Sequence, residues 1–229
     1  MRKLAVPMEL KAIGIGGIGC ALLPFLCRYL QYSESRARLT LIDGDRFERS
    51  NAPRQAFSRL GNKAEVKALE LAREYEMLSI RAVPEYVTEE NVSRLIGAGE
   101  VVFLMVDNHA SRKLVSGHSA TLAETTLISG GNEYEDGNVQ IYIRQEGRDL
   151  TPSLTRYHLE IAYPQDQNPA TMSCKDLMAA GAPQLLFANL MVASVMLNAF
   201  YAIRQGRLDY SEVYLDIVGN ASRAVSRPG

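Results

Sequence analysis

The chain has little cysteine, no excess of either charge, and no repeat or low-complexity tract. Its 229 residues include three cysteines, Cys20, Cys27 and Cys174. These are too few and too scattered for a disulfide framework, so reduced thiols and a cytoplasmic setting are expected. No Cys-x-x-Cys pair occurs, and His109, His118 and His158 lack metal-ligand spacing, so no zinc site is expected. A formal net charge of -1 offers no electrostatic footing for nucleic acid or an anionic membrane. The first ten residues begin basic, but Pro7 and Glu9 break the apolar stretch and exclude a secretory-signal reading. Leu185 to Ile203 is long and apolar, yet Asn189, Ser194 and Asn198 interrupt it and Arg204 follows. It reads as a core or subunit-contact helix rather than a membrane span.

What remains is an ordinary globular composition, 47% hydrophobic and 22% charged, long enough to bury one sizeable core. Strand-like segments at Lys11–Ile15, Arg38–Ile42, Ala82–Tyr86, Val101–Val106 and Thr126–Ser129 alternate with helix-like ones at Gly17–Gln31, Lys63–Leu78, Glu89–Gly97 and Ser111–Ala123. That alternation predicts an α/β fold, a Rossmann-like, doubly wound, mostly parallel sheet. After Gly130-Gly131 the pattern changes. Asn138–Arg144 reads as an antiparallel strand, a polar loop runs to about Ser173, and one apolar helix leads to a last strand at Val213–Ile217. Gly219 to Gly229 is small and polar and is expected to fray. A single domain, 1–229, is expected, with a nucleotide-binding half over 1–130 and a second half over 131–229.

Gly14-Ile-Gly16-Gly17-Ile-Gly19 falls between the first strand and the first helix, the context a dinucleotide fingerprint requires. Gly14 suits a tight turn, Gly16 and Gly17 a phosphate approached by backbone N–H groups, and Gly19 close helix packing. The next strand ends in Asp43, roughly 20 residues on, where such sites place a carboxylate on ribose hydroxyls. An NAD-dependent oxidoreductase fits these features equally well. It does not account for Asp45, or for Asn51, Arg54 and Gln55 just beyond. Arg54 can fork onto phosphate oxygens, Lys63 or Lys67 can neutralise one, and Asn51 and Gln55 can donate without adding charge. Asp107 ends an apolar run and would project from the carboxyl edge of a strand, able to hold Mg2+, with Asp45 as a second candidate ligand.

In this order, the Gly14–Gly19 loop, Asp43-Gly-Asp45, Asn51 with Arg54-Gln55, Gly61-Asn-Lys63 and Val106-Asp107-Asn108 resemble the adenylation domain of the ThiF/MoeB/HesA and ubiquitin-activating-enzyme family. The resemblance spans roughly residues 10 to 130. It implies ATP-dependent adenylation of the C-terminal glycine of a ubiquitin-like or sulfur-carrier protein, with release of pyrophosphate. It also implies ribose recognition by Asp43, phosphate contacts by Asn51, Arg54, Gln55 and Lys63, Mg2+ at Asp107, and a homodimer. The second half would contribute the groove for the partner's tail. Cys174, in Thr-Met-Ser-Cys-Lys-Asp, matches the family region whose cysteine takes over the activated carbonyl, as a thioester or in sulfur transfer. A cysteine in an ordinary connecting loop is the competing reading. Cys20 and Cys27, seven apart on one helix, are expected as buried small hydrophobes. The stretch from Arg54 to Lys63 is shorter than the family's, and Arg2 is a poor match for the arginine some relatives lend to a neighbouring subunit. A non-catalytic scaffold on the same fold is the second alternative.

Overall fold

Branched and aliphatic residues with period-2 burial build the centre of the molecule. In β1 (Met8–Ile13) Met8, Leu10 and Ala12 are buried toward one face and Ile13 toward the other. The computed structural model describes residues 8–33, 37–172 and 185–229. β1 pairs in parallel with β2 (Ala37–Ile42) and with β6 (Val101–Leu104), whose four residues are all buried, as the apolar run of a strand covered on both faces should be. β5 (Ser79–Val83) adds in parallel outside β2, and β7 (Thr125–Asn132) outside β6. The sheet then turns antiparallel through β8 (Asp136–Gln145), β10 (Glu212–Asp216) and β11 (Ala221–Val225). Strand order is β11-β10-β8-β7-β6-β1-β2-β5, with β9 (Arg148–Asp149) paired to β8 and a small separate ribbon of β3 (Arg46–Phe47) and β4 (Gly61–Asn62).

Helices cover both faces, which makes the sheet doubly wound. One face carries α1 (Gly17–Tyr32), α2 (Lys63–Glu74) and α6 (Leu186–Arg204) over Leu10, Leu39, Phe103 and Ile141. The other carries α3 (Val92–Leu95), α4 (His109–Thr121) and α5 (Leu159–Ala162) over Ile13, Val102, Leu127 and Tyr142. By length and composition α6 would be capable of crossing a membrane, but its inner side packs into this core. Phe200 on α6 meets Phe103 of β6 and Tyr29 of α1 edge-on, with ring centroids 5.4 and 6.2 Å apart.

Three expectations are corrected. The strand anticipated at Ala82–Tyr86 begins three residues earlier, because its register with β2 runs from Ser79 to Val83 and Pro84 has no N–H to continue the ladder. The helix anticipated at 89–97 is reduced to Val92–Leu95, since Ile96 is already extended. Gly219–Gly229 does not simply fray, because β11 forms within it and pairs with β10.

The β11 end is fixed by a carboxylate. Glu212 of β10 is nearly inaccessible and accepts hydrogen bonds from Asn138 Nδ2 (2.7 Å), His158 Nε2 (2.6 Å) and Arg227 Nε (2.9 Å). Burial opposes its charge, but the bonds from His158 and Asn138, with Arg227, outweigh that and hold its carboxyl at about 2. A depressed acid contributes stability above its ordinary range and loses it as pH falls toward 2. Glu212→Gln turns one acceptor into a donor facing donors. It should cost about 1–3 kcal/mol in urea unfolding at pH 7.

Candidate nucleotide-binding site

From β1 the chain runs outward to β2 and β5, then returns to β6 beside β1, so the carboxyl ends of β1 and β6 flank a crevice. Gly14 leaves β1 at φ 85°. A Cβ there would lie 2.8 Å from the Met105 carbonyl, so only glycine fits this turn. Its N–H donates to the Ile42 carbonyl (3.0 Å), and that of Asp43 to Val83 (3.2 Å), which aligns three strand ends. At Gly19 a Cβ would meet the Gly14 carbonyl oxygen at 2.8 Å, so α1 rests directly on the turn. Gly16 is the N-cap of α1 and no side chain caps this end, which leaves a positive helix terminus facing the crevice.

Beside that terminus lies a compact charge cluster. Asp43 is buried and accepts from the N–H groups of Ile15 (2.5 Å) and Asp45 (2.8 Å). Burial pushes its carboxyl up to about 6 in spite of the neighbouring Lys63 ammonium. Lys63 is buried too and reaches Asp45 Oδ2 at 2.9 Å. Burial opposes its charge, but Asp43, Asp45 and the more distant Asp107 outweigh this and raise its pKa. The Tyr86 hydroxyl donates to the other oxygen of Asp45. Asn62, the N-cap of α2, accepts from Glu65 N–H (3.1 Å) and donates to the carbonyls of Asp43 (2.8 Å) and Asp45 (3.0 Å), so one side chain ties the acidic loop to the helix carrying Lys63.

The next segment separates residues that the sequence grouped together. Asn51 spends its Oδ1 on Glu48 N–H (3.1 Å), and its carbonyl accepts from the N–H groups of Arg54 (3.1 Å) and Gln55 (3.0 Å). Its place in the fold is that of a turn former that delivers those two side chains. Arg54 Nε and Gln55 Oε1 are both buried without a hydrogen-bond partner among the described residues. Gln55 Nε2 lies 3.8 Å from where a Gly16 Cβ would stand. Lys67 points elsewhere. Its ammonium donates to the Ala56 carbonyl (2.5 Å) and to Glu70 (2.6 Å) and sits 4.6 Å over the Phe57 ring. Lys63 is therefore the lysine that faces the acidic cluster.

Across the crevice Asp107 is exposed and joins no hydrogen bond or ion pair among the described residues. It stands before α4, whose first turn is closed by Asn108 Oδ1 on Ser111 N–H (2.8 Å) and by Asp166 on the N–H groups of His109 (2.7 Å) and Ala110 (2.8 Å). His109 and His118 both lie on α4, and His118 Nε2 is 2.9 Å from the Ile96 carbonyl. Arg112 is buried beneath the loop on three neutral oxygens, of Ser129 (3.1 Å), Val106 (2.7 Å) and Gly130 (2.8 Å). Burial lowers its pKa to about 10, against the pull of Asp107 and Asp166.

The ThiF family profile matches residues 8–215. The chain belongs to the ThiF family. It is 30% identical over 134 residues to the adenylyltransferase and sulfurtransferase MOCS3 of Drosophila virilis, a stretch of 57% of this chain and 28% of that protein. To the sulfur carrier protein adenylyltransferase of Thermus thermophilus it is 28% identical over 134 residues, 57% of this chain and 47% of that one. The chain thus spans less than half the length of these curated relatives. Among solved structures, Escherichia coli MccB with ATP superposes at a TM-score of 0.73 and 15% identity, covering 96% of this chain and 64% of MccB. PaaA superposes at 0.68 and 19% identity, covering 97% and 64%. At such identities the likeness is one of fold.

In this ThiF chain the glycine loop, Asp43, Asp45, Gln55, Lys63 and Asp107 gather at the β1/β6 crevice, Arg54 precedes Gln55 on the turn made by the Asn51 carbonyl, and Lys67 serves the loop beyond. Asp45, the second metal candidate, has both oxygens engaged by Lys63 and Tyr86. Cys174 and Arg2 lie outside the described residues. Cys27 is fully buried, and burial pushes its thiol to about 12. Cys20 departs from expectation, for it is only half-buried, its sulfur 3.6 Å from the Ala56 carbonyl on the loop behind Gln55. Sequence reasoning passed over Tyr86, Asn62, Arg112 and Asp166. Asn62 was findable as an N-cap three residues before Glu65. The others lie on segments that carry no motif and meet the site only through the fold.

Proposed function

We propose that this chain is an ATP-dependent adenylating enzyme acting on the C-terminal glycine of a small ubiquitin-like or sulfur-carrier protein. One observation carries the reading. Arg54 Nε and Gln55 Oε1 are buried and unpartnered among the described residues, and Gln55 stands beside the uncapped glycine loop. A buried polar atom left unpaired costs about 1–3 kcal/mol; a phosphate oxygen would accept from Arg54 Nε–H, and a hydroxyl of the same nucleotide would donate to Gln55 Oε1. The names of the relatives, adenylyltransferases of a sulfur carrier among them, support the same reading.

In this reading a carboxylate oxygen of the terminal glycine attacks the α-phosphorus of ATP. A new O–P bond forms as the bond to the bridging oxygen breaks, and pyrophosphate carries the electron pair away. Asp43 accepts from the ribose, while Arg54 and Lys63 neutralise phosphate charge as it shifts toward the leaving group. Asp107, exposed and unpaired among the described residues, fits Mg2+, which takes one or two protein carboxylates beside phosphate oxygens. Mg2+ would supply further charge neutralisation. We assign Cys174 the later step, attack of its thiolate on the acyl-adenylate with AMP leaving, as a thioester or on the way to sulfur transfer. The reaction belongs in the cytoplasm. Phe25 on α1 and Leu190 and Tyr201 on α6, large and exposed, supply an apolar face for a homodimer.

Calorimetric titration with Mg-ATP tests the reading without the partner. Saturable binding is expected, and Arg54→Ala should weaken it about 10–100-fold, the worth of one or two charge-assisted hydrogen bonds. Binding of NADH in place of ATP would overturn the assignment in favour of an oxidoreductase.

A further inference from the structure

Asn189 interrupts an otherwise apolar stretch of α6, among Leu186, Phe187, Ala188, Leu190, Met191, Val192 and Ala193. Its side chain is fully buried, and neither Nδ2 nor Oδ1 has a hydrogen-bond partner among the described residues. It is aimed at the start of α1. A Cβ placed on Gly17 would fall 2.6 Å from Asn189 Cγ and 2.8 Å from its Oδ1, so Gly17 is glycine because this amide occupies the space. Beside Gly16 stands Gln55, its Oε1 likewise buried and unpartnered among the described residues. Asn189 and Gln55, each with an unpartnered polar atom among the described residues, therefore lie against Gly17 and Gly16 at the uncapped end of a 16-residue helix. Nothing about packing calls for an amide at position 189, and burying one without partners is unfavourable.

Building on the nucleotide reading above, we propose that Asn189 is a positioning residue for the bound triphosphate. In the loaded protein its Nδ2 donates to a phosphate oxygen received at Gly16-Gly17, and its Oδ1 accepts from a peptide N–H of that loop. The amide is unsatisfied in the empty protein and satisfied in the loaded one, so ATP binding recovers a penalty held in the fold. Because Asn189 lies on α6, nucleotide occupancy is also sensed by the helix that packs along α1, β7 and β8.

Two readouts should move in opposite directions. Asn189→Leu, similarly branched and apolar, should raise the melting temperature of the empty protein by about 2–4 °C. It should weaken Mg-ATP about tenfold or more and shrink the ATP-induced rise in melting temperature. Asn189→Ala, which cannot overpack against Gly17, should weaken Mg-ATP to a similar degree and decides the matter if the leucine variant does not fold. A leucine or alanine variant that binds Mg-ATP within twofold of the parent would reduce Asn189 to a buried polar defect and overturn the inference. The parent titration is read first. A parent that binds no Mg-ATP removes the nucleotide reading itself, whereas normal parent binding with unaffected variants removes only the role of Asn189.

Discussion

Asp107→Ala should leave the chain as stable as the parent and stop adenylation. The stability half follows from what Asp107 does not do. Its side chain is exposed and bonds to nothing among the described residues, and its backbone is fixed from both sides, by the fully buried β6 before it and by Asn108 and Asp166 capping α4 after it. Removal of such a side chain changes stability by about 0.5 kcal/mol or less, which thermal unfolding measures. The functional half follows from position. Among the described residues Asp107 is an unpaired carboxylate at the β1/β6 crevice, while Asp45 has both oxygens committed and Asp43 is held by two backbone N–H groups. Pyrophosphate release driven by a carrier protein ending in glycine should fall by a factor on the order of 100–1,000, the cost of losing one electrostatic stabiliser of developing charge. The gain in ATP affinity on adding Mg2+, measured by calorimetry with and without chelator, should vanish as well. If the variant keeps that gain, the metal is held elsewhere.

The parallel half of the fold was legible in the sequence because its determinants are local. Apolar runs such as Val101–Leu104 and an amphipathic pattern such as that of α2 declare strand and helix wherever they occur. What escaped depends on pairing at a distance. The residues of β11 are nearly all exposed and carry no apolar alternation, so nothing within Ala221–Val225 announces a strand. The strand exists because β10 offers an open ladder and because Glu212 receives Arg227 and His158. Edge strand β5 shows the milder version of this effect. Its composition suited either of two placements, and its register with β2 and the missing N–H of Pro84 chose between them.

The site was legible as a set of residue types in order, and less so as a set of contacts. Asp43, Arg54, Gln55, Lys63 and Asp107 could be named because a phosphate site needs carboxylates, cations and neutral donors at the carboxyl ends of strands. Asn51 belongs to the same string, and its Oδ1 and carbonyl also make the turn that carries Arg54 and Gln55, a role spacing does not announce. Asn189 was visible as a polar interruption in an apolar helix, but its meaning required the glycine it meets across some 170 residues of chain. Spacing left Lys63 and Lys67 on one helical face and unresolved. Their surroundings differ: Lys63 lies among three carboxylates of the crevice, and Lys67 lies between Glu70, the Ala56 carbonyl and Phe57.

That difference gives the second large effect. Lys63→Met should weaken Mg-ATP about 10–100-fold by removing a phosphate-facing charge, and it should also destabilise the empty protein in a pH-dependent way. Without the ammonium, Asp43 and Asp45 repel each other at close range. Breaking a buried ion pair costs about 3–5 kcal/mol, but Asp45 is partly open to solvent, so about 1–3 kcal/mol is expected at neutral pH. Asp43, already raised to about 6 in the parent, should rise further once its nearest cation is gone. A carboxyl with a raised folded-state pKa contributes its stability below its ordinary range and loses it as pH climbs through the folded-state value. Urea unfolding at pH 5 and pH 8 should therefore show the variant nearest to the parent at the acid end and furthest from it at the alkaline end. Lys67→Met breaks a link outside the crevice, so its stability loss should lack this pH slope and its ATP affinity should fall less. The reverse pattern, with ATP binding lost on replacing Lys67 and kept on replacing Lys63, would transfer the phosphate contact to Lys67 and require the Ala56–Glu70 loop to open when nucleotide binds.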